Sequence, residues 1–363
     1  LDAGGVEQAT LDMAGAVARL GRRSLVASRG GALESVLAER GGELIRLPLH
    51  SRNPISLAAN AARLAAVVRR ERASLIHVRS RAPAFSALVA ARVTGAPMVA
   101  TYHGIYPARS GLKRWYNAVM TRGEAVIANS EFTRRHIISE HGIDPSRVAF
   151  VPEGVDTDRF DPRAVSAERV AAMRAVWGLA PDDRRSVVLL AARLVGWKGH
   201  EVLAEAFARL TDPERAVLVM TNAADGSALA RRLAALCPDA SLVGGCTDMP
   251  AAFLAADLVV APSTRAESFG RSVVEAGAMG RPVLASALGA HGETVLEGET
   301  GWLAPPGDIA AWSAALEKAL SSTADRRAMM GEAARARAVR LYSLPAMYEG
   351  TFAVYRRVLE ARA

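Results

Sequence analysis

The sequence predicts an α/β protein built as two doubly wound parallel-sheet domains. Three observations carry that expectation. Strand and helix signals alternate along the whole chain, as parallel sheets with helical crossovers require. The apolar runs at 187–192 and 254–261, the second interrupted only by Asp257, are short, which suits strands buried on both faces. One aperiodic stretch, 156–163, interrupts the alternation with Asp and Pro and reads as a linker. With 363 residues there is material for two separate cores.

The elements follow in order. After Gly4-Gly5, the apolar residues Val6, Leu11, Ala14, Val17 and Leu20 keep a helical rhythm that stops at Gly21. Strands are expected at 25–28 and 44–47, a helix at 54–70 and a strand at 75–78. A helix at 83–93 and strands at 98–102 and 125–128 come next. A helix at 131–140 and a strand at 148–151 close this series. The second series expects strands at 187–191, 216–221, 242–243, 258–261 and 282–285. Its helices lie at 201–210, 228–235, 250–255 and 273–279, and the close is helical over 309–341 and 345–359. The expected domains are residues 1–160 and 161–344, facing across a cleft, with 345–363 a terminal helix. A Gly-Gly turn into a helix normally follows a strand, so one strand of ~5–6 residues is expected to be missing before Leu1. The first sheet would then lack a central strand.

Composition narrows the class. Half the residues are hydrophobic, which excludes a disordered chain, and no apolar run reaches eighteen residues. Two cysteines, Cys237 and Cys246, cannot build a disulfide framework and show no metal spacing. They fit a reducing cytoplasm, and a signal peptide is not expected. The formal charge is +8, with the basic excess in the first half, so an anionic partner is expected for that half.

Five clusters can carry chemistry. Glu267 and Glu275 stand eight positions apart around Ser268-Phe269-Gly270, after a strand and into a helix. The carboxyl end of a strand is where open α/β sheets bind ligands. Free helix N–H groups suit a phosphate there, and a carboxylate suits sugar hydroxyls. Arg193 and Lys198 flank a loop that opens a helix, so two cations can hold a diphosphate. Gly4-Gly5 lets backbone approach a phosphate, though it is not the three-glycine dinucleotide fingerprint. His103 ends a first-domain strand and can donate to a sugar hydroxyl. Pro152-Glu153-Gly154-Val155-Asp156 reads as a structural hinge, and His77, His136, His141 and His200 read as packing or surface residues. No metal is expected.

As an ordered set these motifs resemble the retaining glycosyltransferases of family 4, with the GT-B fold, of the bacterial envelope and lipopolysaccharide type. The resemblance runs from Gly4-Gly5-Val6-Glu7 through Tyr102-His103-Gly104, Ala128-Asn129-Ser130 and Pro152 to Asp156. It continues through Arg193, Lys198-Gly199, Glu267 to Glu275 and the stretch Gly298 to Asp308. It implies two Rossmann-like domains, the second binding a nucleotide sugar and the first an acceptor, and a terminal helix crossing back to the first. Arg193 and Lys198 would hold the diphosphate, with the backbone N–H groups of Phe269 and Gly270 nearby. Glu275 would take the ribose, Glu267 and His103 the donor sugar, and Gly5 would sit against the phosphate. Glu153 stands where the family often has Asn, a difference expected to matter little.

The implied reaction is hexose transfer from a nucleotide-diphosphate sugar to a glycan or lipid-linked acceptor, with no cofactor. No carboxylate is placed as an obvious covalent nucleophile, which favours same-face substitution. The stretch Ser110 to Met120 mixes cations with apolar and aromatic residues. An ordinary amphipathic core helix is the first reading of it. A contact with anionic membrane at the inner face of the cytoplasmic membrane is the second. Nucleic acid is not expected. The rival reading is a nucleotide-sugar 2-epimerase, which would process the donor without an acceptor.

Overall fold

The computed structural model describes residues 1, 4–51, 53–106, 110–224 and 226–362. The chain divides into two compact units: residues 1–154 with 344–363, and residues 155–343.

In the first unit, helix α1 (Gly5–Arg19) leads into β1 (Ser24–Ser28), α2 (Glu34–Glu39) and β2 (Gly42–Arg46). Then come α3 (Pro54–Glu71), β3 (Ile76–Val78), α4 (Arg81–Thr94), β4 (Met98–Tyr102) and α5 (Gly111–Asn117). The series closes with β5 (Ala125–Ala128), α6 (Glu131–His141) and β6 (Val148–Phe150). The strands form two parallel sheets, β1-β2 and β3-β4-β5-β6, rather than one. Local chemistry explains the helix starts. Ser130 accepts from Thr133 N at 2.9 Å to cap α6, and Asn53 accepts from Ile55 N at 2.9 Å to cap α3, whose first residue is Pro54.

The second unit opens with α7 (Ala167–Val176) and β7 (Ser186–Ala191), followed by α8 (His200–Phe207), β8 (Ala216–Thr221), α9 (Ala228–Leu236) and β9 (Ser241–Leu242). It continues with α10 (Met249–Ala255), β10 (Leu258–Ala261), α11 (Arg271–Ala278), β11 (Val283–Ser286), α12 (His291–Thr294) and β12 (Gly301–Ala304). Helices α13 (Ile309–Leu320) and α14 (Ala324–Leu341) complete it; α15 (Leu344–Glu360) belongs to the first unit. Its six parallel strands run β12-β11-β10-β7-β8-β9. From β7 the chain builds outward through β8 and β9, then returns to the other side of β7 with β10, β11 and β12. The strand order therefore reverses between β7 and β10. A crevice opens at the carboxyl ends of such a pair, because their crossovers leave on opposite faces.

Five elements depart from the sequence expectation. The single helix expected over 309–341 is two, because Thr323 accepts from Arg326 N at 3.2 Å and starts a new one. Helices α2, α7 and α12 and strand β12 had no element assigned to them.

Candidate functional site

Two loops of the second unit leave the sheet at its switch point. The first follows β7 and carries Arg193 and Lys198. Gly199 ends it in the left-handed region (φ 76°), and a Cβ there would lie 1.9 Å from the Pro262 carbonyl oxygen. Only glycine lets this loop lie against the exit of β10. Thr264 N donates to Trp197 O at 2.8 Å and ties the two loops together.

The second loop follows β10 and carries Glu267. Lys198 Nζ donates to Glu267 Oε1 at 2.7 Å, and Ser263 Oγ donates to the same oxygen at 2.5 Å. His291 Nε2 lies 3.7 Å from it. The Glu267 backbone is held as well: Ala290 N donates to Glu267 O at 3.0 Å, and a Cβ on Gly289 would lie 2.5 Å from that oxygen. Burial works to raise the Glu267 pKa. Lys198, His291 and the hydrogen bonds from Lys198 and Ser263 outweigh it, and the carboxyl is held below its ordinary value. His291, almost fully buried, is pushed down by burial first, against the pull of Glu267.

The turn into α11 places the rest. Gly270 caps the helix with φ 84°, where a Cβ would meet the His291 ring at 2.7 Å. Phe269 turns its ring into the core against Tyr342, so only its backbone is left to face a ligand. Glu275 accepts from Arg271 Nε at 2.8 Å one turn earlier. Arg193 is exposed. The structure thus brings Lys198 and Glu267 into direct contact, keeps Phe269 and Gly270 in the same loop, and engages Glu275 with Arg271. Sequence reading missed Ser263 and His291. Ser263 lies two residues past β10 and could have been found by the strand-end rule; His291 is brought in by the pairing of β11 with β10 and the hydrogen bond from Ala290 N to Glu267 O.

The first unit collects a second set. Arg79, His103 and Asn129 are each the first residue after β3, β4 and β5, so three adjacent strands present them side by side. Arg79 Nη1 lies 3.2 Å from His103 Nε2. A guanidinium can only donate, so Nε2 accepts, and the proton of the neutral ring lies on Nδ1. That nitrogen is 3.9 Å from Glu153 Oε2, which also accepts from Asn129 Nδ2 at 3.4 Å. A Cβ on Gly5 would lie 3.7 Å from Glu153 Oε1.

Two residues here make contacts that the sequence reading did not assign. The Pro152–Asp156 segment spans the boundary between the units, as a hinge would, and within it Glu153 is buried (8 % exposed) between His103, Asn129 and the start of α1. His77 packs as expected, its ring edge-on to Tyr355 at 5.6 Å between centres, and it also bonds at both nitrogens. Its Nε2 lies 2.7 Å from Thr101 Oγ1 and its Nδ1 2.5 Å from Tyr355 Oη, tying α15 to the sheet. Among the described residues, no three His, Cys, Asp or Glu gather as metal ligands would.

The buried imidazoles have a measurable consequence. Burial, with Lys198 second, pushes His200 down to about 4. Below the unfolded value of roughly 6.5, the unfolded chain takes up a proton that the folded chain refuses. Stability is therefore complete above that value and falls as pH drops toward 4. His200 alone is worth up to roughly 3 kcal/mol of this fall. Denaturant melts at successive pH values should show the slope, and His200→Leu should flatten it; an unchanged slope would remove His200 as its source.

The comparisons with known proteins agree with this architecture. A model described as Glycosyltransferase Family 4 matches residues 3–159, and one described as Glycosyl transferases group 1 matches residues 175–337. A D-inositol 3-phosphate glycosyltransferase of Mycobacterium tuberculosis is 32% identical over 255 residues, covering 66% of this chain and 50% of the relative. The chain thus aligns with about half the length of such curated relatives. Among solved structures, a glycosyltransferase from Rickettsia africae superposes with a TM-score of 0.89 at 27% identity, covering 99% of this chain and 97% of the other. Anabaena HepE, solved with UDP and glucose, shares the fold with a TM-score of 0.83 at 23% identity, covering 98% and 96%. The epimerase reading gains no support from these comparisons.

Proposed function

From the premise that the chain belongs to family 4 of the glycosyltransferases, we propose that it transfers a hexose from a nucleotide-diphosphate sugar, with retention. The acceptor is a glycan or glycolipid of the bacterial envelope, with lipopolysaccharide synthesis the first candidate, and the reaction runs at the cytoplasmic face of the membrane. One observation carries the proposal: the part-buried Lys198–Glu267 pair stands at the switch point between β7 and β10, within a turn of the open α11 N-terminus.

In this reading the diphosphate enters beside Arg193 and Lys198 and meets the backbone N–H groups at Phe269 and Gly270. Its charge competes with Glu267 for Lys198 and releases the carboxylate to the sugar hydroxyls. Glu275 takes the ribose. His103 and Gly5 are the contributions of the first unit. The C1–O bond to the diphosphate breaks, and the acceptor oxygen bonds C1 from the same face. The acceptor proton passes to the departing phosphate oxygen. The two cations neutralise the leaving group, so the proposal needs no metal.

Lys198→Ala is expected to weaken donor use by ~1.5–3 kcal/mol, the worth of a charged hydrogen bond. Steady-state kinetics over donor concentration checks it, and wild-type values would take Lys198 out of the site. The proposal as a whole is tested by incubating the protein with UDP-, GDP- and ADP-hexoses and glycolipid acceptors and reading the product anomer by NMR. UDP-glucose is the first donor to try, since the Anabaena protein holds UDP with glucose. An inverted product, or donor isomerised without acceptor, would overturn it.

A further inference from the structure

The first unit carries a surface that the donor chemistry does not use. From residue 44 to residue 123 the sequence has 13 Lys and Arg against a single acid, Glu71. Helices α3, α4 and α5 all lie in this stretch, and α4 and α5 contain no acidic residue.

These helices also expose apolar side chains. Phe85, Val89 and Val93 follow one another at four-residue steps and so line one face of α4. Val89 and Val93 are open to solvent. Phe85 meets Trp115 of α5 at 5.8 Å between ring centres and Tyr116 at 5.1 Å. That contact makes the α4 stripe continuous with Trp115 (52 % exposed) and, three residues earlier on α5, Leu112 (78 % exposed). Helix α3 lies alongside: Ser86 Oγ donates to Leu57 O at 2.9 Å, and Arg69 Nη2 donates to Val93 O at 3.1 Å. At its start Ile55 is 81 % exposed. Cations ring the patch. Arg122 stacks over Trp115 at 5.2 Å, Arg114 reaches Glu140 at 3.4 Å, and Lys113 and Arg92 are exposed.

We infer that this α3–α4–α5 face docks on an anionic phospholipid bilayer. The charge excess supplies long-range attraction to such a surface. Leu112, Ile55 and the valines enter the acyl boundary, while Trp115 lies at headgroup level with Arg122 over its ring. A nucleic-acid face would share the cations but would leave four exposed aliphatic side chains facing phosphates. The bilayer satisfies both halves of the patch. The inference stands apart from the donor reading, because vesicle binding needs no nucleotide sugar and either can fail alone.

The test is co-sedimentation of the whole protein with vesicles of phosphatidylcholine alone, or mixed equally with phosphatidylglycerol. Binding is expected to the mixed vesicles only and to be lost at high salt. Trp115→Ser combined with Leu112→Ser should weaken it by about tenfold or more. Both sites are exposed, and an unchanged melting temperature shows that the fold survives. Failure to bind mixed vesicles at low salt, equal binding by the double variant, or binding to a DNA duplex but not to vesicles would overturn it.

Discussion

Replacing Glu267 by Ala is expected to lower kcat/KM by about 10²–10³-fold, the ~2.7–4 kcal/mol that losing one preorganised transition-state contact costs. Three groups converge on this carboxylate: Lys198 at 2.7 Å, Ser263 at 2.5 Å and His291 at 3.7 Å. Its removal leaves Lys198, whose side chain is only 15 % exposed, without its counter-charge. Glu267→Gln separates two explanations. It preserves shape and hydrogen bonding but not charge, so if the charge sets the site, Gln should lose about 10²-fold as well. Full activity in Glu267→Gln would reduce the residue to a spacer. Since the carboxyl is held below its ordinary value, this contribution should persist from neutral pH down to roughly pH 4.3 and fade below it.

The second large effect is on stability. Gly199→Ala should cost about 2–5 kcal/mol: roughly 1–2 for a left-handed residue with a Cβ, and roughly 1–3 for an overpacked contact. The contact is with the Pro262 carbonyl, which is backbone and cannot swing aside. In a unit of this size, that lowers the melting temperature by on the order of 10 °C. Two other glycines serve as controls. Gly178 has φ 76° but open space around its Cβ position, so Gly178→Ala should incur the conformational cost alone; Gly196 has open space and no positive φ, so Gly196→Ala should be nearly silent. Calorimetric melts of the three variants would decide. Equal melting temperatures would mean that the loop carrying Lys198 does not depend on its seat against β10.

Strands such as Met98–Tyr102 and Leu258–Ala261 were legible in the sequence because parallel strands buried on both faces leave unbroken apolar runs. Helices α2 and α7 were not. The first spans only six residues, and the second has no fully buried residue, so neither leaves a strong apolar stripe. Strand β12, Gly-Trp-Leu-Ala, has no β-branched residue to mark it, and its Gly301 is required by the Val283 carbonyl 2.0 Å from where a Cβ would stand.

The candidate site divides in the same way. Lys198, Glu267 and Glu275 announce themselves by lying just past strand ends or at a helix start. Glu153 and His77 do not, because what makes each of them matter is contributed from elsewhere in the chain: His103 and Asn129 in one case, and Tyr355, 278 positions away, in the other. Local pattern carries no trace of such distant partners. The pairing of Lys198 with Glu267 was equally hidden, since it depends on β7 and β10 becoming neighbours.

The claim most in need of a direct test is that this pair is where a nucleotide sugar binds. Isothermal titration of UDP-, GDP- and ADP-hexoses into the wild-type protein and into Glu267→Gln addresses it. The account predicts saturable binding of at least one donor to the wild type, weakened at least about tenfold in the variant. Binding of equal strength to both proteins, or none of the three donors bound by the wild type, would contradict it.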